Sequence, residues 1–224
     1  MANERASATP TIECAENGPY IVRGLRNVIG AGGEIIEGKD VMALCRCGGS
    51  KNKPFCDGTH AKIGFGGEKS ADRVPDRRDA YVGGGITIHD NRGLCSHAGA
   101  CTDRLGAVWR LGKEPWIDPD GADVQAIIAT IAMCPSGALG YTIDGEEHRD
   151  RVPEPAIRVI KGGPYQVTGG VELMTADWGE GAAKEHFALC RCGGSKNKPF
   201  CDGTHWNVDF DSAEAGPAAS HGER

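Results

Sequence analysis

Apolar residues in this chain occur in short runs closed by glycine, not in long periodic stretches. Ile12 and Tyr20–Val22 read as short strands, and Ile157–Ile160 and Tyr165–Thr168 read the same way much later. Brief runs bounded by Gly turns predict small β modules. Between them the pattern changes. Gly85–His89 alternates like a strand, as does Gly140–Ile143, while Val124, Ile127, Ile128 and Ile131 share one helical face. Asp118 to Asp123 supplies start signals for that helix. Gly93–Leu105 predicts a further short helix, carrying Cys95 and Cys101. The expected class is α+β, with β-rich modules over 1–76 and 151–212, a different domain over 77–150 and a small, polar, disordered tail over 213–224.

The two flanking modules are copies of one another. The string ALCRCGGSKNKPFCDGTH runs from Ala43 to His60 and again from Ala188 to His205, an offset of 145 residues. Gly18–Tyr20 meets Gly163–Tyr165 at the same offset, as Gly24 meets Gly169. A repeat in register over this length marks a duplicated domain.

Composition sharpens this picture. Gly supplies 34 of 224 residues, roughly twice ordinary usage. Aromatic residues are only 6%, so the core is thin and a metal or disulfide staple is expected. The ten cysteines are not spaced like a secreted disulfide framework, and MANERASATP has no apolar signal region. No run approaches the ~18 apolar residues of a membrane span. Thiolates in a reducing cytoplasm are therefore expected to bind metal. The net charge of −6 argues against nucleic acid as a partner.

Cys45, Cys47, Cys56 and His60 form one ligand set, and Cys190, Cys192, Cys201 and His205 form its repeat. Three thiolates and an imidazole suit tetrahedral metal, and zinc is the simplest occupant. The single residue between the first two cysteines is tighter than in zinc knuckles. Gly48-Gly49-Ser50 offers backbone amides of the kind that cradle anions, here inorganic sulfide. Asp57 and Asp202 are placed to accept N–H bonds at a helix start and to orient the ligand loop. Lys51, Lys53, Lys196 and Lys198 either offset cluster charge or are solvated loop charges. Cys14, whose repeat mate is Val159, reads as a small buried hydrophobe.

The pattern C-x-C-x2-S-x3-P-x-C-D-G-T-H resembles the CDGSH, or mitoNEET-like, iron–sulfur family. The resemblance implies one [2Fe-2S] cluster per copy, with one iron on Cys45 and Cys47 and the other on Cys56 and His60. In the second copy the pairs are Cys190 with Cys192 and Cys201 with His205. It also implies a fairly exposed ligand histidine, and two modules paired by strand exchange. Here that pairing is expected within one chain, as a pseudo-dimer in a monomer. A neutral imidazole in place of a thiolate raises the potential relative to all-cysteine clusters.

The middle segment adds Cys95, Cys101 and Cys134-Pro135. These resemble the monocluster ferredoxins, whose pattern is C-x2-C-x2-C with a remote C-P. Ala98 stands at the middle cysteine position. Three thiolates and a vacant corner resemble the [3Fe-4S] ferredoxins and imply such a cluster, with [4Fe-4S] and a fourth ligand as the alternative, His97 being the nearest candidate. Trp109 and Trp116 read as core, and His89 as structural. His148, His186 and His221 lack ligand context. No nucleophile–base pair, phosphate loop or cofactor fingerprint points to an enzyme. The expected function is one-electron transfer between a reductase and an acceptor. The alternative is a redox- or pH-sensitive cluster donor or sensor, motivated by the histidine ligand.

Overall fold

The computed structural model describes residues 9–149, 154–174, 177–208 and 210; the expected tail and His221 lie outside them. The first copy contributes β1 (Thr11–Cys14), β2 (Tyr20–Arg23), β3 (Asn27–Ile29), β4 (Ile35–Glu37), β5 (Val41–Leu44) and the short helix α1 (Thr59–Lys62). The middle segment holds β6 (Arg78–Val82), β7 (Thr87–Asn91), α2 (Ala100–Arg104), α3 (Val124–Ile131), β8 (Leu139–Ile143) and β9 (Glu146–His148). The second copy supplies β10 (Ala156–Val159), β11 (Tyr165–Thr168), β12 (Glu172–Leu173) and β13 (His186–Leu189), then a 3-10 turn at Thr204–Trp206. The class is α+β, as expected.

The two copies exchange strands. One sheet runs β12-β1-β2-β5, so the second copy's β12 lies on the first copy's edge; the other runs β13-β11-β10-β3-β4, with the first copy's β3 in the second copy's sheet. Both exchanged pairings are parallel: Ile12 faces Leu173, and Ile157 faces Val28. Each pair is the other displaced by the repeat offset. The copies are thus two halves of one pseudo-symmetric unit.

They also share one core. Ile12, Tyr20, Val22, Val28 and Leu44 pack in a single buried cluster with their repeat mates Ile157, Tyr165, Val167, Leu173 and Leu189. Burying one sheet face of a small module leaves the module marginal alone; pairing two makes a usable core. Cys14, at the end of β1, packs against this cluster, in line with a hydrophobic role.

The middle domain has its own four-stranded antiparallel sheet, β6-β7-β8-β9. Its core gathers Ile88, Leu94, Val108, Trp109, Ile117, Ile127, Ile131 and Leu139. Asp123 accepts the Ala126 amide hydrogen and starts α3 where the sequence placed it. The expected helix over Gly93–Leu105 does not form as one piece. A 3-10 turn covers Arg92–Leu94, Cys95 is extended, and helix resumes only at Ala100. His97 and Gly99 take positive φ (54° and 77°), which no continuing helix tolerates. Among the described residues no helix is long and apolar enough to cross a membrane.

Candidate iron–sulfur centres

Each copy brings its four ligand candidates together in two pairs. Cys45 Sγ and Cys47 Sγ are 3.9 Å apart, and Cys56 Sγ lies 3.3 Å from His60 Nδ1. The second copy repeats both values, for Cys190 with Cys192 and Cys201 with His205. A metal with ligands at about 2.1–2.3 Å in tetrahedral array has edges of roughly 3.6–3.8 Å. The cysteine pairs are close to such an edge and the Cys–His pairs somewhat shorter than one, so each pair is near enough to share an ion. Among the described residues no three or more His, Cys, Asp or Glu side chains converge as a single-ion site. The four candidates of each copy thus stand as two pairs, not as one four-residue site.

The local chain explains the pairing. Cys45 follows β5, and its N–H donates to the Pro54 carbonyl while the Cys56 N–H donates to Ala43, closing the loop on itself. Ser50 Oγ donates to Phe55 and accepts from the Asn52 amide, holding the loop interior. Asp57 accepts from the Lys51 and Thr59 amides, tying the middle of the loop to the start of α1. Those bonds, that from Lys51 foremost, hold the Asp57 carboxyl well below the usual carboxylate range. Asp202 repeats the contacts with Lys196 and Thr204. Gly58, at φ 85°, precedes the helix that presents His60. Backbone amides of Gly49 and Gly58 reach Cys47 and Cys56 sulfur at 3.4 Å, a donor set that favours thiolate.

The copies are locked together at these loops. Cys47 and Cys192 form an isolated antiparallel bridge. A Cβ on Gly48 would lie 2.5 Å from the Cys192 carbonyl oxygen, and one on Gly193 would lie 2.4 Å from that of Cys47. Arg46 and Arg191, between the paired cysteines, carried no obvious signal in the sequence. Both are buried; Arg191 donates to the Gly163 and Ile160 carbonyls and Arg46 to Ala15 and Gly67, fastening each ligand loop to neighbouring turns. A guanidinium between two ligands was legible only as a repeated charge in a cysteine pair.

The lysines divide. Lys53 and Lys198 turn back to the Ser50 and Ser195 carbonyls, and Lys196 pairs with Asp72. These three charges are engaged by the protein itself.

The ligand histidines differ between copies. His60 is half-buried, whereas His205 is 6% exposed, so the expectation of an open histidine fails for the second copy. The middle domain covers it. Asn197 donates to the Gly93 carbonyl at 2.7 Å, Trp206 Nε1 donates to the His97 carbonyl at 3.2 Å, and the Trp206 ring lies 4.9 Å from that of His205. Asn52, the mate of Asn197, is exposed.

In the middle domain Cys95, Cys101 and Cys134 line one cavity with Asp90, Arg92, Ser96, Ala98, Trp116 and Ser136. Burial pushes the Cys95 thiol up to about 12 and Cys101 up to about 11. Thiolates in such a place call for a bound cation. Burial also raises Asp90, to about 6. His97 does not line this cavity. Its ring packs on Gly203, where a Cβ would come within 2.9 Å of it. Trp109 is fully buried in the core, His89 bonds Thr142, His148 stacks on Tyr141 and His186 is buried on β13.

Comparison with known proteins agrees with this geometry. The family model for the iron-binding zinc finger of CDGSH type matches residues 17–61 and 162–206. The chain belongs to the CDGSH iron-binding family. Between its two CDGSH domains, residues 81–144 match the model of a divergent 4Fe-4S mono-cluster. Two curated relatives, both called uncharacterized protein YjdI, from Escherichia coli K12 and O157:H7, are 41% identical over 61 residues. That match spans 27% of this chain and 80% of each relative. No solved structure matches. The CDGSH chain is thus an iron–sulfur protein whose two copies flank a domain similar to a four-iron one. The three-iron expectation for that domain fits poorly, because the matching domain is described as a four-iron one. His97 packs against Gly203 and shares a second, wider cavity with Cys95 and Cys101 but not with Cys134.

Proposed function

We propose that the protein is a one-electron carrier with three clusters, passing electrons between a reductase and an acceptor. Two [2Fe-2S] clusters would be held by Cys45, Cys47, Cys56 and His60 and by Cys190, Cys192, Cys201 and His205. A [4Fe-4S] cluster would be held in part by Cys95, Cys101 and Cys134. When bound, such clusters supply reversible one-electron oxidation and reduction. The protein's own contribution is placement. The observation that carries the reading is the contiguity of the three ligand loops. The middle domain's Cys95 loop touches the second copy through His97 and Trp206, and the second copy touches the first through Cys192 and Cys47. Cys95 is near enough to Cys201 for its charge to be felt there. The loops thus form a series: middle domain, second copy, first copy.

In the two copies, buried Arg46 and Arg191 and amide N–H groups offset negative charge, while in the second copy the low exposure of Cys190, Cys201 and His205 excludes water. The net charge of −6 suits a partner with a basic face, where charge sets the encounter rate. The reading takes the protein as a cytoplasmic monomer, with no nucleic-acid partner and no substrate of its own.

The test is photoreduction of the protein to less than one electron per molecule, followed by time-resolved spectroscopy. Redistribution among clusters at a rate independent of protein concentration is expected. A rate proportional to concentration would mean that electrons move only between molecules, and the carrier reading would fall.

A second reading, cluster donation or sensing, draws on the half-buried His60. It would confine transfer to the first copy. Mixing oxidised protein with an apo acceptor, and following which copy loses iron, separates the two readings.

A further inference from the structure

A four-iron cluster requires a donor at each iron, and the middle domain provides three thiolates. Ala98 has no donor atom, and His97 packs on Gly203 and does not line the cavity that all three thiols share. Three other side chains on the cavity carry oxygen: Asp90, Ser96 and Ser136. Ser136 Oγ is engaged with Cys134 Sγ at 3.7 Å. Ser96 Oγ is buried without a partner, but a hydroxyl is neutral at physiological pH and a poor ligand unless it loses its proton.

Asp90 is different in kind. It is 1% exposed, and neither carboxylate oxygen has a partner in hydrogen-bond geometry. The Trp116 side chain lies close enough to favour its charged form slightly, without completing a bond. Strand β7 alternates, so Asp90 shares the inward face with Ile88, which is fully buried. The cation beside it does not pair with it: Arg92 directs Nη1 to Cys95 Sγ at 3.5 Å and lies over the Trp116 ring. A buried carboxylate without a formed hydrogen bond or ion pair is strongly unfavourable unless a cation joins it. Iron is a suitable cation, and carboxylate oxygen a suitable ligand for it.

We propose, resting on the four-iron reading of the middle centre, that Asp90 is its fourth ligand, binding through a carboxylate oxygen the iron that Cys95, Cys101 and Cys134 leave open. The carboxylate enters as an anion, so no electron is transferred in forming the bond. An oxygen ligand at one corner also leaves that iron more readily lost or exchanged than a thiolate would.

The experiment compares full-length protein, purified anaerobically, with Asp90→Ala, Asp90→Cys and Ser96→Ala, by iron counting and EPR in both oxidation states. The two CDGSH clusters report folding in every sample. Wild type and Ser96→Ala should hold about eight irons, and Asp90→Ala about seven, with the paramagnetic signal of an oxidised three-iron cluster. Asp90→Cys should return to four irons in the middle centre with an altered reduced-state signal. Loss of the whole middle cluster in Asp90→Ala, with retention in Asp90→Cys, supports the assignment equally. An unchanged four-iron signal in Asp90→Ala overturns it, as does conversion in Ser96→Ala or loss of the cluster from Asp90→Cys. A three-iron signal in anaerobic wild type overturns the four-iron reading itself.

Discussion

The hydroxyl of Tyr165 lies 3.0 Å from the carbonyl oxygen of Cys45, a residue of the other copy. It lies 3.0 Å from the Pro54 carbonyl as well, and Tyr20 makes the mirror contacts to Cys190 and Pro199 at 2.8 and 3.0 Å. The two rings meet edge to face, with centroids 6.0 Å apart. Each copy's tyrosine therefore braces the ligand loop of its sister, and the cluster sites belong to the pair, not to either module.

This bracing predicts a crossed phenotype. Tyr165→Phe leaves the Cys45 and Pro54 carbonyls short of a donor and should cost about 1–3 kcal/mol. Its cluster defect should appear in the first copy, and that of Tyr20→Phe in the second. Thermal unfolding of the loaded protein, with chelator-driven iron loss resolved by copy, reads both effects. Loss from the mutated copy itself would contradict the crossed arrangement.

The contact at the pseudo-twofold axis makes a sharper demand. Gly48→Ala introduces a Cβ 2.5 Å from a backbone oxygen, at φ 77°. Strain of about 1–3 kcal/mol is expected from the conformation alone, and the clash adds to it. Because the oxygen belongs to Cys192, both copies should lose iron in this single variant. Iron content after desalting is the measurement.

The middle domain shelters one copy only. Chelator should therefore strip the protein in two phases, the first copy first, since His60 is half-buried and His205 is covered. Trp206→Ala, which removes the bond to His97 and the ring against His205, should bring the second phase close to the first. Two phases left unaltered by that substitution would place the protection elsewhere.

Asp57 gives a pH prediction. Its folded-state pKa is depressed because its charged form accepts the Lys51 and Thr59 amides. Its contribution is complete above the ordinary carboxylate pKa of about 4 and is lost as pH falls below it. Asp57→Asn should weaken the first ligand loop near neutral pH and flatten the acid limb of its stability curve. Unfolding midpoints of the apo protein across about pH 2–7 test this, and a parallel shift at every pH would argue against it.

Sequence alone determined a good deal here. The ligand types, their spacing and the duplication lie in contiguous residues, and local chain geometry makes Cys45–His60 and Cys190–His205 fold alike. The α3 helix was legible because its cap and apolar face are local. Strands β3 and β12 were not, since three- and two-residue segments carry little periodicity and are set by the edge they join. Nor could sequence tell two identical motifs apart. The middle domain packs on one of them, so His205 is buried and His60 is not, and identical residues acquire different environments. Asp90 shows the same division. As a letter it is one acidic residue among 31; only the fold turns it inward, removes its partners and sets it beside three thiols. Local order follows from neighbours in the chain, while burial and charge balance depend on neighbours in space.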